Sequence, residues 1–356
     1  MNLLFRVDAG SSLGIGHVAR CLTLAAELVA CGAKVAFACR ELVGHQMARI
    51  AAAGHEVFAL SPDTADEMLA LRAVLPQGAF FDWIVVDHYQ LDATWETAAR
   101  QWARRIMAID DLADRPHACD LLLDQNFTAS AALYQALLPG TCHLLAGPRY
   151  ALLRPAFRRE REATAETARR VLVSFGGFDQ AGMTLKTLRA LAGIERVAVQ
   201  CIAGQASADL AALRALVEQQ PGWQLLAFVD DLAERMGAAT LFIGAGGGTT
   251  WERAAMGLPS LCVSVADNQV ANAQALARAG VHRYLGDAGQ ATVDGLRQAI
   301  TVLLDNAPLR QQFAARSRQL VDGLGARRVA VALLTDHLQA ECHFERVLKD
   351  SQDEQF

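Results

Sequence analysis

A histidine in a glycine-rich loop is the first residue of this sequence whose type and position suggest chemistry. Residues 8–20 read DAGSSLGIGHVAR and follow an apolar run, Leu3–Val7, that predicts the first strand. Gly14 and Gly16 allow the backbone to approach a ligand closely, and the helix predicted from about His17 offers N–H groups and partial positive charge to an anion. Because a positive helix end disfavours imidazolium, we expect a neutral His17 that can act as a general base.

The same loop is open to two other interpretations. Gly14, Gly16 and Ala19 form a G-x-G-x-x-A pattern, and Glu41 follows the second predicted strand at about the place of a ribose-binding acid, which is the fingerprint of a dinucleotide site. Against a dinucleotide site, the loop is longer than a tight Rossmann turn, and His17 occupies the helix start where a pyrophosphate would lie. A histidine at this turn could also have only a packing or capping role.

A second glycine-rich loop follows the predicted strand Leu241–Ile243. Residues 244–253 read GAGGGTTWER, a pattern that is suited to cradling a diphosphate with backbone N–H groups. Glu252, one turn into the next helix, could accept hydrogen bonds from a ribose diol. The alternative is a capping box, with Thr249 as the N-cap and Glu252 as its partner. A shorter glycine pair follows strand Val171–Ser174. The residues that we predict to bind the nucleotide are Gly176, Gly177, Gly246, Gly247, Thr249, Thr250 and Glu252.

Polar residues also end other predicted strands. Asp87 and Tyr89 follow the apolar run Trp83–Val86, and residues 267–269, Asp-Asn-Gln, follow Leu261–Val265. Local backbone hydrogen bonding and helix capping are the alternatives for such residues. Further acidic residues end two neighbouring strands, but no additional ligand is spaced to complete a metal site, so we predict no metal.

The elements that must position these residues alternate between apolar strands and amphipathic helices. This rhythm runs through the first half and begins again at Val171, which predicts an α/β fold of two Rossmann-like, doubly wound domains facing a central cleft, the GT-B type. Ligands in such sheets bind beyond the carboxyl ends of the strands. A charged stretch without large apolar residues marks the boundary. We predict an N-terminal domain over residues 1–157, a linker over 158–170, a C-terminal domain over 171–340 that closes with two helices, and a polar tail over 341–356.

Composition narrows the class of protein. The 356 residues are 53% hydrophobic and 20% charged, with a net charge of −5 and no run of Lys and Arg, which argues against nucleic acid as the main partner. The N-terminal apolar stretch is too short for a signal peptide, and no segment approaches the length of a membrane span, which predicts a cytoplasmic protein without a membrane partner. The eight cysteines contain no C-x-x-C pair and predict reduced, buried thiols. We expect a monomer.

Taken in order, the motifs resemble a known family. These motifs are Arg6-Val-Asp8, the His17 loop, Asp87-His88-Tyr89, Gly147-Pro-Arg149-Tyr150, Ser174-Phe-Gly176-Gly177, Gly246-Gly247-Gly248-Thr249-Thr250-Trp251-Glu252 and Asp267-Asn268-Gln269. Over roughly residues 3–285 they resemble the UDP-2,4-diacetamido-2,4,6-trideoxy-β-L-altropyranose hydrolases of pseudaminic acid biosynthesis. The C-terminal half also resembles the peptidoglycan N-acetylglucosaminyltransferase, which has the GT-B architecture.

The resemblance implies hydrolysis of a UDP-sugar at its anomeric carbon, without a metal or cofactor. It implies His17 as the catalytic residue and Glu252 as the nucleotide-binding acid. The residues that we predict to bind the substrate are Gly14, Gly16, Asp87, Tyr89, Arg149, Asp267, Asn268 and Gln269. A UDP-sugar glycosyltransferase, an NAD-dependent oxidoreductase and a non-catalytic nucleotide-sugar binding protein remain as alternatives.

Overall fold

The computed structural model describes residues 1–11, 13–158, 169–177, 179–204, 207, 209–227 and 229–335. The chain divides into two compact units. The N-terminal unit consists of Met1–Leu153 together with the segment that begins at Leu324, and the C-terminal unit is Arg154–Gly323. Residues 159–168 of the predicted linker and the predicted tail, 341–356, lie outside the described residues.

The N-terminal unit is a seven-stranded parallel sheet in the order β3-β2-β1-β4-β5-β6-β7, with helices packed against it. Apolar side chains fill both sides of the central strands, in accordance with the continuous apolar runs of the sequence. The elements in chain order are β1 (Asn2–Val7), α1 (Gly16–Ala30), β2 (Lys34–Arg40), α2 (Met47–Ala52), β3 (Glu56–Leu60), α3 (Glu67–Val74), β4 (Phe81–Asp87), α4 (Ala93–Ala99), β5 (Ala103–Ile109), β6 (Leu121–Asp124), α5 (Ala131–Tyr134), β7 (His143–Ala146) and a 3-10 helix (Pro148–Tyr150).

The C-terminal unit repeats this design with a six-stranded parallel sheet in the order β10-β9-β8-β11-β12-β13. Its elements are a 3-10 helix (Pro155–Arg158), β8 (Arg170–Ser174), α6 (Met183–Leu191), β9 (Ala198–Ile202), α7 (Leu210–Glu218), β10 (Trp223–Leu226), α8 (Leu232–Ala238), β11 (Leu241–Ala245), α9 (Thr249–Ala255), β12 (Ser260–Ser264), a 3-10 helix (Asp267–Gln269), α10 (Val270–Arg278), β13 (Arg283–Asp287), α11 (Val293–Asp305) and α12 (Ala307–Leu320). Two Rossmann-like, doubly wound sheets confirm the predicted fold class.

The division of the chain differs from the predicted boundaries in two places. The C-terminal unit starts at Arg154 because the side chain of Phe157 is buried in a cluster with Leu172 and Phe242 of that unit. The last described helix, α13 (Gly325–Leu334), was expected in the C-terminal domain but returns to the N-terminal unit, where its apolar face joins the core beside α1. The indole N–H of Trp83 donates to the Leu333 carbonyl at 3.0 Å and fixes this helix to the sheet.

The strand order places the predicted chemistry at the switch point of each sheet. In the N-terminal unit the order reverses between β1 and β4, so the loops that begin at residues 8 and 88 leave neighbouring strands in opposite directions. In the C-terminal unit the reversal lies between β8 and β11, and the loops beginning at residues 175 and 246 diverge there. Such crevices are where open α/β sheets bind ligands.

Candidate active site

His17 lies in the first turn of α1 and is held by a buried carboxylate. Gly14, with φ of +77°, turns the chain into the helix, which begins at Gly16. The Nδ1 atom of His17 lies 2.6 Å from Oδ1 of Asp87, the last residue of β4. Among the described residues, no group hydrogen-bonds to Nε2 of His17. An Nδ1–H donated to Asp87 therefore leaves Nε2 as the nitrogen that can accept a proton.

Asp87 is 1% exposed, and its carboxylate is saturated with hydrogen bonds. Arg20 donates from Nε to Oδ2 and from Nη2 to Oδ1, both at 2.6 Å. The Cys21 thiol adds a weak contact at 3.5 Å. Burial alone would raise the pKa of Asp87, but the guanidinium of Arg20 and the hydrogen bonds hold it well below its usual value. The structure thus places Asp87 underneath His17, where it orients the ring, rather than at the surface that a substrate would touch.

Tyr89 contacts the same histidine, and Asp111 contacts both Tyr89 and Arg20. The Tyr89 ring meets the His17 ring edge to face, with centroids 4.7 Å apart. Burial raises the pKa of Tyr89 above its usual value, and Asp111, which accepts a hydrogen bond from it, adds to the rise. Asp111 also accepts from Nη1 of Arg20 at 3.0 Å. The partly buried phenol of Tyr89 is therefore a neutral group next to His17.

The start of the His17 loop is fixed by a separate ion-pair network. Arg6, which is fully buried, donates to both oxygens of Asp8, and His88 approaches the same carboxylate at 3.2 Å. The backbone N–H of Arg40 donates to Asp8 at 2.7 Å. This network ties the ends of β1, β2 and β4 together and anchors the loop that delivers His17. Glu41, the acid required by the dinucleotide interpretation, is exposed.

The glycine loop after β11 is tied to the loop after β12 by Gln269. Its Oε1 accepts from the backbone N–H groups of Gly246 at 3.2 Å and of Val265 at 3.1 Å. A Cβ atom at Gly246 would lie 3.1 Å from Cβ of Gln269, a tight contact that the Gln269 side chain could relieve only by shifting. We call the two bonds to Oε1 the Gln269 clasp. Because Oε1 is the acceptor in both of them, the two N–H groups of Nε2 take no part in the clasp, and Nε2 lies near Gly247. Asp267 and Asn268 are exposed on the same short 3-10 helix.

Glu252 is the acid that this loop presents. The capping-box alternative fails here, because α9 begins at Thr249 with Gly248 as N-cap and no side chain caps it. Glu252 is partly buried, and its carboxylate has no hydrogen-bond or ion-pair partner among the described residues. Burial raises its pKa to about 7, against the opposing charges of Arg154 and Arg253. A partly buried acceptor without a protein partner is suited to a ligand's hydroxyl groups.

The two threonines of the loop have different surroundings. Thr250 is buried and its hydroxyl accepts from Nη2 of Arg253 at 3.0 Å, whereas Thr249 is only partly buried and lies 3.4 Å from Nη1 of the same side chain. Arg253 is 2% exposed and also donates to the Ala245 carbonyl at 2.9 Å. Burial lowers its pKa below the usual value, but the guanidinium remains cationic and places positive charge beneath the glycine loop.

The remaining predicted residues are placed less centrally. Gly176 and Gly177 are exposed in the loop after β8, beside the glycine loop that follows β11. Arg149 is exposed in the 3-10 helix after β7, the edge strand, three strand positions away from β4, and its guanidinium lies over the Tyr150 ring. The structure therefore does not bring Arg149 to the His17–Asp87 pair.

One group of buried side chains in the described residues brings three metal-ligating atoms together. Glu96, His117 and Cys119 have such atoms within 4.8 Å of one another. Both oxygens of Glu96 already accept hydrogen bonds, from Nδ1 of His117 at 2.6 Å and from the backbone N–H of Ala118. This arrangement is that of a hydrogen-bonded core cluster, and it lies apart from His17.

Arg20, Asp111 and Arg154 are site residues to which sequence reasoning gave no role. Arg20 follows His17 by three positions, a spacing that places two side chains on the same helical face, so a signal was present. Asp111 and Arg154 carry no comparable signal, because their neighbours are distant in sequence. Their relation to the site depends on strand order and on the unit boundary.

Comparisons with known proteins agree with the motifs. Residues 183–325 match the glycosyltransferase family 28 C-terminal domain. The chain is 31% identical over 187 residues to the UDP-2,4-diacetamido-2,4,6-trideoxy-beta-L-altropyranose hydrolase of Campylobacter jejuni, which covers 52% of this chain and 64% of that protein. It is 34% identical over 223 residues to a UDP-N-acetylglucosamine–N-acetylmuramyl-(pentapeptide) pyrophosphoryl-undecaprenol N-acetylglucosamine transferase of Sorangium cellulosum, over 60% of this chain and 54% of that protein.

Both matches span less than two thirds of the relative's length. Among solved structures, MurG of Acinetobacter baumannii superposes with a TM-score of 0.68 at 18% identity, covering 94% of this chain and 99% of that one, which shows a shared fold. No helix of the described part of the chain combines the length and apolar character that crossing a membrane requires. Residues 183–325 thus match the glycosyltransferase family 28 C-terminal domain, and the resemblance of the chain to the UDP-diacetamido-trideoxy-altropyranose hydrolases is confirmed.

Proposed function

We propose that this chain is an enzyme that hydrolyses a UDP-activated 2,4-diacetamido-2,4,6-trideoxy sugar at its anomeric carbon, in pseudaminic acid biosynthesis. The observation that carries the proposal is the His17–Asp87 pair, in which Nδ1 is occupied by a buried carboxylate and Nε2 has no partner among the described groups. This is the arrangement of a general base.

The proposed reaction needs one base and one stabilised leaving group. Water bound at Nε2 of His17 loses its proton to that nitrogen while its oxygen bonds to the anomeric carbon. The bond from that carbon to the UDP oxygen breaks, and UDP leaves with the electron pair. A single displacement by water inverts the anomeric centre. Because UDP is a stable anion, we propose no strong general acid and no metal.

The C-terminal unit offers the features that a UDP leaving group requires. The backbone N–H of Gly247, with the buried guanidinium of Arg253 below the loop, favours an anion. The unpartnered carboxylate of Glu252 is suited to the two ribose hydroxyls. Nε2 of Gln269 supplies two further N–H donors.

The identity of the sugar is taken from the Campylobacter relative. That protein's name specifies the 2,4-diacetamido-2,4,6-trideoxy altropyranose, and the match to this chain is 31% identical. We propose the same class of sugar here, together with a role in supplying the sugar for flagellin glycosylation. The cytoplasmic location and the monomeric state stay predictions.

A UDP-sugar glycosyltransferase is the second candidate. It is favoured by the family 28 domain match and by the N-acetylglucosamine transferase relative, which is 34% identical over 60% of this chain. In that case a sugar hydroxyl would replace water as the group that His17 deprotonates. The site geometry at His17 fits either nucleophile.

One experiment separates the two candidates. The purified chain is incubated with a panel of UDP-diacetamido-trideoxy sugars and UDP-N-acetylglucosamine in ¹⁸O-labelled water with EDTA, and the products are followed by NMR and mass spectrometry. We expect stoichiometric UDP without label, a free sugar with ¹⁸O at its anomeric carbon, and inverted configuration in the first product formed. UDP release that appears only after an acceptor sugar is added would overturn the hydrolase in favour of the transferase.

A further inference from the structure

We infer that Arg20 is a positioning residue that keeps the His17–Asp87 pair in its base-competent state, an inference that rests on the proposed function. Arg20 does not need to touch the sugar for this role. It acts through the charge and orientation of the groups around His17, and no part of the resemblance assigns it.

Each nitrogen of the Arg20 guanidinium group bonds to a carboxylate. Two of its nitrogens, Nε and Nη2, grip Asp87 in a bidentate pair at 2.6 Å each, and the third, Nη1, reaches Asp111 at 3.0 Å. Its side chain is 12% exposed, and that of Asp87 is fully buried. A planar fork of this kind fixes the carboxylate plane of Asp87, which in turn fixes the direction in which Oδ1 meets Nδ1 of His17.

Arg20 also sets the net charge of the groups around His17. Asp87 bonds to His17 and to Arg20, and Arg20 bonds to Asp111, so with a neutral His17 this bonded group carries one net negative charge. A proton taken up by His17 from water makes the group neutral. The catalytic step therefore relieves a charge imbalance instead of creating one.

Without Arg20 the same pocket would hold two carboxylates and no cation. The Cys21 thiol bonds to Asp87 and the Tyr89 ring contacts His17, and neither supplies a positive charge, because both are neutral acids whose pKa values burial raises above their usual range. Protonation of His17 would then be the nearest way to offset the two negative charges, and a protonated histidine cannot act as a base. Arg20 also lies 3.1 Å from Nδ1 through Nη2, where its charge directly opposes an imidazolium.

The test compares Arg20→Gln and Arg20→Lys with a matched surface control, Arg72→Gln, whose exposed guanidinium donates to the side chain of Gln101. UDP release is measured from pH 5.5 to 9.5 at saturating and at low UDP-sugar, and UDP affinity is measured by calorimetry. The ring nitrogens of His17 are followed by NMR in ¹⁵N-histidine-labelled protein, with His17→Gln for assignment.

For Arg20→Gln we expect turnover at pH 7 to fall about 10- to 100-fold, within the size of a general-base contribution, with the acidic limb of the pH profile moved to higher pH and partial recovery near pH 9. UDP affinity should stay within about twofold of the unchanged protein. Arg20→Lys keeps the charge but loses the fork, so the acidic limb should stay in place while turnover falls less than in Arg20→Gln. Arg72→Gln should behave as the unchanged protein.

The inference is overturned if Arg20→Gln loses the same factor at every pH while the His17 ring signals match the unchanged protein, or if its turnover is unaffected. The NMR experiment does not require turnover. If the unchanged protein releases no UDP from any UDP-sugar, the proposed function fails, and a shift of His17 towards the protonated ring in Arg20→Gln still decides the role of Arg20.

Discussion

The loop between β1 and α1 in the N-terminal unit leads to His17, whose Nδ1 is bonded to the buried carboxylate of Asp87. The loop between β11 and α9 in the C-terminal unit leads to Glu252, whose carboxylate has no hydrogen-bond or ion-pair partner among the described residues. Both loops are rich in glycine, and both leave a sheet at its switch point. In the first, Asp87 is saturated by three side chains. In the second, Glu252 remains available.

Under the proposed function, this difference separates the two tasks of the enzyme, activating water and binding the nucleotide. A base is effective when its tautomer and direction are set before the substrate arrives, which requires internal partners. A binding residue gains its hydrogen bonds from the ligand, so it must lack internal partners in the free protein. We therefore expect substitutions at the first loop to change turnover and substitutions at the second to change affinity.

The largest effect is expected for His17→Ala. Removing the base should lower turnover by about 10² to 10⁴-fold, the usual contribution of a general base, with UDP affinity little changed. UDP release under saturating substrate and calorimetric UDP titration measure the two quantities. His45, which is exposed on the loop after β2, supplies the matched control as His45→Ala. A parallel collapse of UDP binding would assign His17 to the nucleotide and remove the distinction between the loops.

Asp87→Asn should have the next largest effect. The amide can offer a nitrogen or an oxygen to Nδ1, so the tautomer is no longer fixed, and turnover should fall about 100-fold. Because this change also leaves the buried Arg20 without its bidentate partner, the melting temperature must be measured alongside turnover. A variant that melts like the unchanged protein and retains full turnover would show that His17 does not need its carboxylate.

The sequence is sufficient to predict which residues stand at the strand ends, because apolar runs stopped by polar residues are local patterns. It also singles out His17 and Glu252 through their glycine loops. It does not predict that Asp87 serves His17, since the two are 70 positions apart and meet only because β4 is the neighbour of β1. Strand order is a property of the whole sheet, and no local pattern encodes it.

The same reason explains the misplaced helix α13. Its apolar face has the spacing of any packed helix, and nothing in that spacing distinguishes the nearer unit from the farther one. The preference arises from the N-terminal core, where Val329 and Leu333 are buried and Trp83 donates to the helix. The role of Glu252 also could not be decided from the sequence alone. The residues around it fit a capping box, and only the start of helix α9 at Thr249 excludes that interpretation.

Glu252→Gln should alter binding and leave turnover at saturation nearly unchanged. An amide can still accept from one ribose hydroxyl but loses the charge-assisted bonds, so we expect UDP affinity to fall about 10-fold. The pKa of Glu252 is raised to about 7, so UDP affinity of the unchanged protein should rise as the pH increases through 7, when the carboxyl loses its proton. The variant should show no such rise. Calorimetry at pH 6, 7 and 8 measures both effects.

The sign of the corresponding stability effect is opposite. An acid whose pKa is higher in the folded state than its usual 4.5 binds its proton more tightly when folded, so its contribution to the free energy of unfolding decreases between about pH 4.5 and 7. Glu252→Gln should therefore gain in melting temperature relative to the unchanged protein as the pH rises across this range. Equal pH dependence of the two proteins would mean that Glu252 has a partner in solution, and the contrast with Asp87 would no longer hold.

The smallest effect is expected at Gln269, where one side chain combines both roles. Gln269→Leu removes the acceptor of the Gly246 and Val265 N–H groups and the Nε2 donors together, and losing bonds of this kind should weaken UDP-sugar binding about 3- to 10-fold. Gln269→Glu separates the roles, because a carboxylate keeps the clasp but places negative charge where Nε2 lies near Gly247. If Nε2 faces the bound diphosphate, the Glu variant should bind more weakly than the Leu variant at low salt and recover partly at high salt. If the Glu variant binds as well as the unchanged protein, Gln269 only holds the two loops together. Like Asp87, it would then serve internal partners and not the ligand.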